Sequence, residues 1–296
     1  MSKPSVLLTG ATGFLGSYLL DALIKSNYST IILLRSNSNT NRIQHLEGKY
    51  KSYFVGDNTL ERVFEDQQIT CVIHTACNYG RGSSDISDVV DANLFFALDL
   101  LNYSLKYKVK TFINSDTFFN NGESFSKYLG EYVLSKKQFV EWIRFKSNTI
   151  NVVNLKLHHV YGKNDNLSKF IPWFLTQLKR NIKVINLTDG LQKRDFIYID
   201  DVVSAYLIVL KNIELISGYH EYEVGTGRSI TLREFLLELK KIYTIHNPDS
   251  VSKLNFGAVK DIEGEIKNAI ADNANLIKLG WTPCISINAG LNNLIS

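Results

Sequence analysis

The sequence has little of what marks a secreted, metal-binding or membrane-spanning chain. Three cysteines among 296 residues, Cys71, Cys77 and Cys284, form an odd, scattered set without metal-ligand spacing. That excludes a disulfide framework and a zinc site, and points to a reducing compartment with ordinary buried thiols. The chain has only four prolines and shows no repeat, low-complexity tract or Pro/Gly-rich linker. No apolar run approaches the ~20 residues of a membrane span. The start, "MSKPSVLLTG", looks superficially like a signal peptide, but Gly10 breaks the run and no A-x-A site follows. Neither charge dominates: 33 Lys and Arg stand against 29 Asp and Glu, for a net charge of +4. The basic residues fall in short pairs such as "SKKQ" and "LKRN", the pattern of solvated faces rather than of a nucleic-acid surface. A cytoplasmic globular protein with no nucleic-acid, membrane or metal partner is expected.

What is present is a rhythm. Hydrophobic residues make up 45% of the chain and charged ones 21%, enough for a sizeable core in one broad domain or two lobes. Short β-branched runs at 5–9, 30–34, 53–57, 71–75, 111–115 and 151–157 read as strands, nearly continuously apolar as strands buried on both faces are. Helical patterns at 14–25, 59–66, about 88–106 and about 127–147 lie between them. Strand and helix alternating in this way predict an α/β fold, a Rossmann-type doubly wound parallel sheet with right-handed crossovers. After about residue 160 the rhythm changes, which predicts a smaller mixed α/β substrate-binding lobe. The expected division is a dinucleotide-binding domain at 1–160 and the lobe at 161–296, with part of 195–215 packing back on the first domain.

The stretch "LLTGATGFLGSYLL" follows the first strand and opens the first helix. Gly10, Gly13 and Gly16 are spaced so that a backbone can turn tightly, approach a pyrophosphate and pack helix on strand. The helix N-terminus then offers N–H groups and a positive dipole end to phosphate. The strand–turn–helix context makes the motif specific for a dinucleotide. At the end of the second strand, where NAD-specific sites carry an acidic residue, the chain reads "ILLRSNSN". Arg35 there suits a 2′-phosphate, so NADP is expected over NAD. Asp57, after the third strand, is placed to bond the adenine amino group or to cap the helix at 59–66.

In "GEYVLSKKQFVEWI" Tyr132 and Lys136 lie one helical turn apart, with Lys136 in the middle of an apolar stripe. Together with T-G-x-x-G-x-x-G, this Y-x-x-x-K pair makes the chain resemble the extended short-chain dehydrogenase/reductase family, the nucleotide-sugar epimerases, dehydratases and reductases. Further landmarks run nearly the full length: "VIHTAC", "INSDTFF", "LKLHHVYG", "DGLQKRDFIYIDDV" and "ADNANLIKLGWTP". The resemblance implies that Tyr132 is the acid/base, Lys136 its partner and a cofactor contact, and Ser115 the residue that bonds the substrate's carbonyl or hydroxyl oxygen. It also implies a cofactor lining of Gly10, Thr12, Gly13, Phe14, Leu15, Gly16, Arg35, Asp57, Asn58, Thr75 and Ala76. A free tyrosine titrates near 10, so the lysine ammonium is expected to draw Tyr132 down by ~3 units, or ~4 kcal/mol.

Three activities share this scaffold. The dehydratases use a Thr/Ser-Asp-Glu run, whereas here it is Ser115-Asp116-Thr117, so dehydration lacks its second carboxyl group. Arg35 favours a reductase over an epimerase, because a reductase must exchange its cofactor and NADPH is the usual reductant. The chain looks most like the nucleotide-sugar 4-ketoreductases of deoxysugar and surface-polysaccharide biosynthesis, a group that includes the CDP-paratose and CDP-abequose synthases. An epimerase is the alternative, and a non-catalytic dinucleotide-binding regulator the second. The resemblance places Thr117, His159 and Arg194 against a nucleotide-diphosphate sugar, Arg194 on its phosphates. His158 and His159 depart from the family's phenylalanine and asparagine; His158 reads as a packed core residue. Asp200 and Asp201 are expected to cap the helix that follows them. Helices 88–106 and 127–147 resemble those that pair in family dimers, so a homodimer is expected.

Overall fold

The computed structural model describes residues 4–56, 58–81, 85–120, 129–261 and 263–296. Among them runs a seven-stranded sheet of β1 (Ser5–Thr9), β2 (Ser29–Leu34), β3 (Lys51–Phe54), β4 (Cys71–His74), β5 (Thr111–Thr117), β6 (Asn151–Leu157) and, from later in the chain, β11 (Tyr219–Val224), in the order β11-β6-β5-β4-β1-β2-β3. Every pairing in it is parallel. Val6, Leu8, Ile32, Ile73, Ile113 and Val153 pack in one core with α1 (Phe14–Lys25) and α7 (Ile199–Lys211). Leu7, Ile31, Val72, Phe112 and Val152 pack in a second core with α2 (Thr59–Asp66), α4 (Phe96–Lys106) and α5 (Gly130–Lys146). Successive strand residues point to opposite faces, so a strand covered on both sides must be apolar throughout. Each such side chain contributes roughly 1.5–3 kcal/mol on burial. The strands and the first two helices stand within about two residues of their expected places, except that the strand expected at 53–57 is β3 at Lys51–Phe54, and Asp57 lies outside the described residues.

The expected helix at 88–106 is present, but it widens for one turn. α3 (Ile86–Val90) starts in a capping box of Asp85 and Asp88, and a wide π turn, Asp91–Phe95, separates it from α4. Asn93 is buried in the middle of that turn. Its Nδ2 donates to the Asn78 carbonyl (2.8 Å) and Ser135 Oγ (3.0 Å), while Oδ1 accepts from the Asn78 N–H (2.7 Å). An extra residue in one turn re-aims a side chain without ending the helix. α5 is described from Gly130 and follows Leu129 in the left-handed region, φ 57°.

The smaller lobe pairs β7 (His159–Tyr161) with β10 (Phe196–Tyr198), β8 (Val184–Leu187) with β13 (Lys253–Phe256), and β9 (Lys193–Arg194) with β12 (Ile230–Thr231). Around these lie α6 (Phe170–Lys179), α8 (Leu232–His246), α9 (Ala274–Lys278) and α10 (Ile287–Ile295). A Thr231/Glu234 capping box opens α8, whose Phe235 stacks on Phe196 with ring centroids 3.9 Å apart. The chain crosses back to the main sheet twice: α7 packs on α1, and β11 pairs with β6. Asp201 stands in the first turn of α7 but does not cap it. Its carboxylate accepts from the N–H groups of Cys284 (3.0 Å) and Ile285 (2.9 Å), tying down the segment before α10.

Candidate active site

The sheet's direction of winding reverses between β1 and β4, and their carboxyl ends frame the crevice where such sheets take ligands. The two ends are tied together: Thr9 Oγ1 and His74 Nδ1 hydrogen-bond at 2.8 Å, and Thr75 Oγ1 donates to the Thr9 carbonyl at 2.7 Å. Gly10 turns out of β1 with φ +72°. A Cβ there would strike the Ala76 backbone and Thr75 Oγ1, and one at Gly16 would strike the Gly10 carbonyl. Gly13 stands at the N-cap of α1, which has no side-chain cap. The first-turn N–H groups at Phe14 and Leu15 thus start a helix end that suits a pyrophosphate. Glycines that let the loop pack this closely under an uncapped helix start fit a dinucleotide's pyrophosphate.

Arg35 is exposed just beyond β2, its backbone N–H held by Ser38 Oγ at 2.9 Å. Asn58, with φ 58°, occupies the N-cap of α2. Sequence reasoning missed Arg42. Its guanidinium donates from Nη1 to the Thr12 carbonyl in the glycine loop (3.2 Å) and from Nε to the Asn164 carbonyl of the smaller lobe (2.9 Å). The signal was a second arginine in the same polar loop as Arg35.

Ser115, Asp116 and Thr117 end β5, beside Tyr132 and Lys136 on the first two turns of α5. All five are buried, Lys136 to 2% exposure. The Tyr132 ring stacks on Tyr79 with centroids 4.8 Å apart. Ser115 Oγ and the Tyr206 hydroxyl of α7 lie 2.6 Å apart. Asp116 accepts from Asn120 Nδ2 (2.6 Å) and Asn154 Nδ2 (3.0 Å), in a partly buried chain that reaches Glu221 and Lys156. Asn93 again matters here: Ser135, one of its partners, also donates to the Tyr132 carbonyl at 3.0 Å.

The expected lowering of the Tyr132 pKa is not what the site does. Desolvation, reinforced by Tyr79, Cys77 and Asp116, holds the phenol well above 10, and Thr117 opposes this only in part. Burial likewise lowers the Lys136 pKa, against the pull of Cys77 and Asp116. Burial dominates both shifts, as it does for charges taken out of water without a close partner. The tyrosine therefore keeps its proton and is suited to give one. Asp116 is raised by desolvation, with Lys136 and Asn154 opposing.

In the smaller lobe His159 lies between the rings of Phe118 (4.9 Å) and Phe196 (5.6 Å). Desolvation, then Arg194, His158 and Lys169, hold it well below 6.5, so its ring is neutral at ordinary pH. His158 is buried as expected, and its Nε2 lies 3.2 Å from Glu223 Oε2. Arg194 is 2% exposed and paired with Glu265 at 2.7 Å, which orients the guanidinium from inside the lobe. Among the described residues no group of His, Cys, Asp and Glu could hold a metal ion, and no helix is long and apolar enough to cross a membrane.

A glycine cradle at the switch point of a parallel sheet, with a Tyr–Lys helix beside it, defines a nicotinamide-dinucleotide enzyme of the epimerase and dehydratase type. Residues 6–225 match the NAD dependent epimerase/dehydratase family, and the chain belongs to it. It is 34% identical to the CDP-abequose synthase of Salmonella typhimurium, over 99% of this chain and 98% of the other. The Salmonella muenchen CDP-abequose synthase is 37% identical over 98% of this chain and 97% of its own. The dTDP-4-dehydro-6-deoxyglucose reductase of Escherichia coli is 25% identical over 99% and 97%. Among solved structures, UDP-glucuronic acid 4-epimerase from Bacillus cereus, in complex with UDP-glucuronic acid and NAD, superposes with TM-score 0.84 at 25% identity, covering 98% of each chain.

Proposed function

We propose that the protein is an NADPH-dependent reductase of a nucleotide-activated 4-keto-6-deoxyhexose, acting in deoxysugar biosynthesis for a surface polysaccharide. The observation that carries this reading is the residue at the end of β5. Thr117 stands where dehydration would need a carboxylate, buried at the end of β5. The near-full-length likeness to two CDP-abequose synthases and to a 4-keto-sugar reductase supports it.

When bound, the reduced nicotinamide supplies a hydride to the carbonyl carbon. Ser115 donates a hydrogen bond to the ketone oxygen and Tyr132 delivers the proton, so that C=O becomes CH–OH. A protonated, desolvated phenol is the right state for that step. Lys136 stands one turn from Tyr132 and stabilises the phenolate left behind until solvent restores its proton. Arg35, with Arg42 bracing the loop, favours the 2′-phosphate of NADP. Arg194 and His159 line the nucleotide-sugar side. The exposed apolar residues Phe95 (before α4) and Leu134, Trp142 and Phe145 (on α5) favour a homodimer through these helices.

The test is direct. With NADPH and nucleotide-linked 4-keto-6-deoxyhexoses carrying CDP, dTDP, GDP or UDP, one substrate should consume NADPH in step with formation of the alcohol, read at the reduced-nicotinamide absorbance band. Epimer formation without net loss of NADPH would replace the reductase by an epimerase.

A further inference from the structure

Tyr206 belongs to the buried stripe of α7, with Val202, Val203, Ala205, Val209 and Leu210. Its ring is fully buried, and a phenylalanine would fill the same space. Its hydroxyl nonetheless sits 2.6 Å from Ser115 Oγ, 91 positions away in the chain. Among the described residues neither hydroxyl has another hydrogen-bond partner.

We propose that Tyr206 is a positioning residue, whose phenol donates to Ser115 Oγ and turns the serine's own proton toward the substrate oxygen. The inference rests on the ketone-binding role of Ser115 in the reading above. It follows from counting protons. Each hydroxyl has one proton to give and lone pairs to receive. If Ser115 donated to Tyr206, the buried phenol proton would have no acceptor, and an unsatisfied buried donor is costly. Ser115 would also have spent its only proton and could merely accept from the substrate, the wrong polarity for a ketone. With Tyr206 as donor both defects disappear. Burial raises the Tyr206 pKa, so the phenol keeps the proton it gives. Two hydroxyls in series also polarise one another, strengthening the outer bond as charge grows on the ketone oxygen.

The experiment is a cycle of Tyr206→Phe, Ser115→Ala and the double variant, measured twice. On whichever turnover the wild type shows, reduction or epimerisation, Tyr206→Phe should lower kcat on the order of tenfold and leave KM within about twofold. Ser115→Ala should lower kcat further, and the double variant should match Ser115→Ala alone, because the phenol acts only through the serine. In the Ser115→Thr background, which keeps a hydroxyl, the Tyr206→Phe loss should persist. Losses that multiply in the double variant, or a wild-type kcat in Tyr206→Phe, would overturn the proposal, since a packing role predicts either. The second measurement is thermal melting of the same variants, which needs no substrate. Coupled shifts are expected, and additive ones would also overturn it. Should the wild type reduce no keto sugar and epimerise none, the functional reading fails, while the melting cycle still tests the pair.

Discussion

Acid should weaken this fold through two histidines that it forbids to charge. His74 is fully buried, with Nδ1 on Thr9 and Nε2 without a partner among the described residues; desolvation, then Lys136, hold its pKa well below 6.5. His159 is depressed by desolvation and by Arg194, His158 and Lys169. Above the unfolded value both folded and unfolded chains hold neutral rings, and stability is fully present. As pH falls below it, the unfolded chain takes up protons that the folded chain refuses, so stability is lost until the native values are reached. At about pH 5.5, one unit below the unfolded value, each histidine costs about 1.4 kcal/mol, or roughly 3 kcal/mol for the two. For a chain of this size each corresponds to a fall in Tm of about 2 °C. Asp116 and Asp200 are raised, chiefly by burial, and work the other way, their contribution returning as pH falls. The clean measurement is therefore a difference. His159→Asn should unfold in urea with a shallower acid dependence, and its stability relative to wild type should improve by about 1.4 kcal/mol between pH 7.5 and pH 5.5. Parallel stability curves for the two proteins across that range would refute the claim that His159 is held neutral.

The catalytic and cofactor readings give two more. Tyr132→Phe keeps the ring stack on Tyr79 and should fold and bind cofactor normally, yet lose on the order of a hundredfold or more in turnover; a wild-type rate would remove Tyr132 from the mechanism. Arg35→Asp should weaken NADPH far more than NADH in a fluorescence titration, by a few kcal/mol, and equal affinities for the two in the unmutated protein would refute the NADP reading.

Much of this was legible in the sequence because local rules and the global fold agree. The runs at 5–9, 71–75 and 111–115 are apolar at consecutive positions, which a two-sided parallel sheet requires, and the glycine spacing needs only local backbone sterics. What stayed hidden depends on distance through space. No periodicity announces that the helix will widen at Asn93, whose partners Asn78 and Ser135 come from other segments. Asp201 has the right place and chemistry for a cap, and only the arrival of Cys284 and Ile285 draws it elsewhere. The phenol of Tyr132 was misjudged because helical spacing shows the lysine nearby but not how thoroughly both are dried. Tyr206 reads as one more core aromatic until the serine appears at its hydroxyl.

The return of the chain to the sheet at β11 makes the two lobes inseparable by any single cut. A fragment ending near residue 160 would leave β6 as a naked outer strand, with Val152, Val153 and Leu155, all fully buried in the intact protein, next to unpaired backbone groups. Such an edge invites pairing with another molecule. A fragment beginning there would carry β11 and α7 with no sheet and no α1 to receive them. Exchanging the smaller lobe for a relative's therefore means replacing at least two separate segments, one on each side of α7 and β11, while those two elements stay with the host.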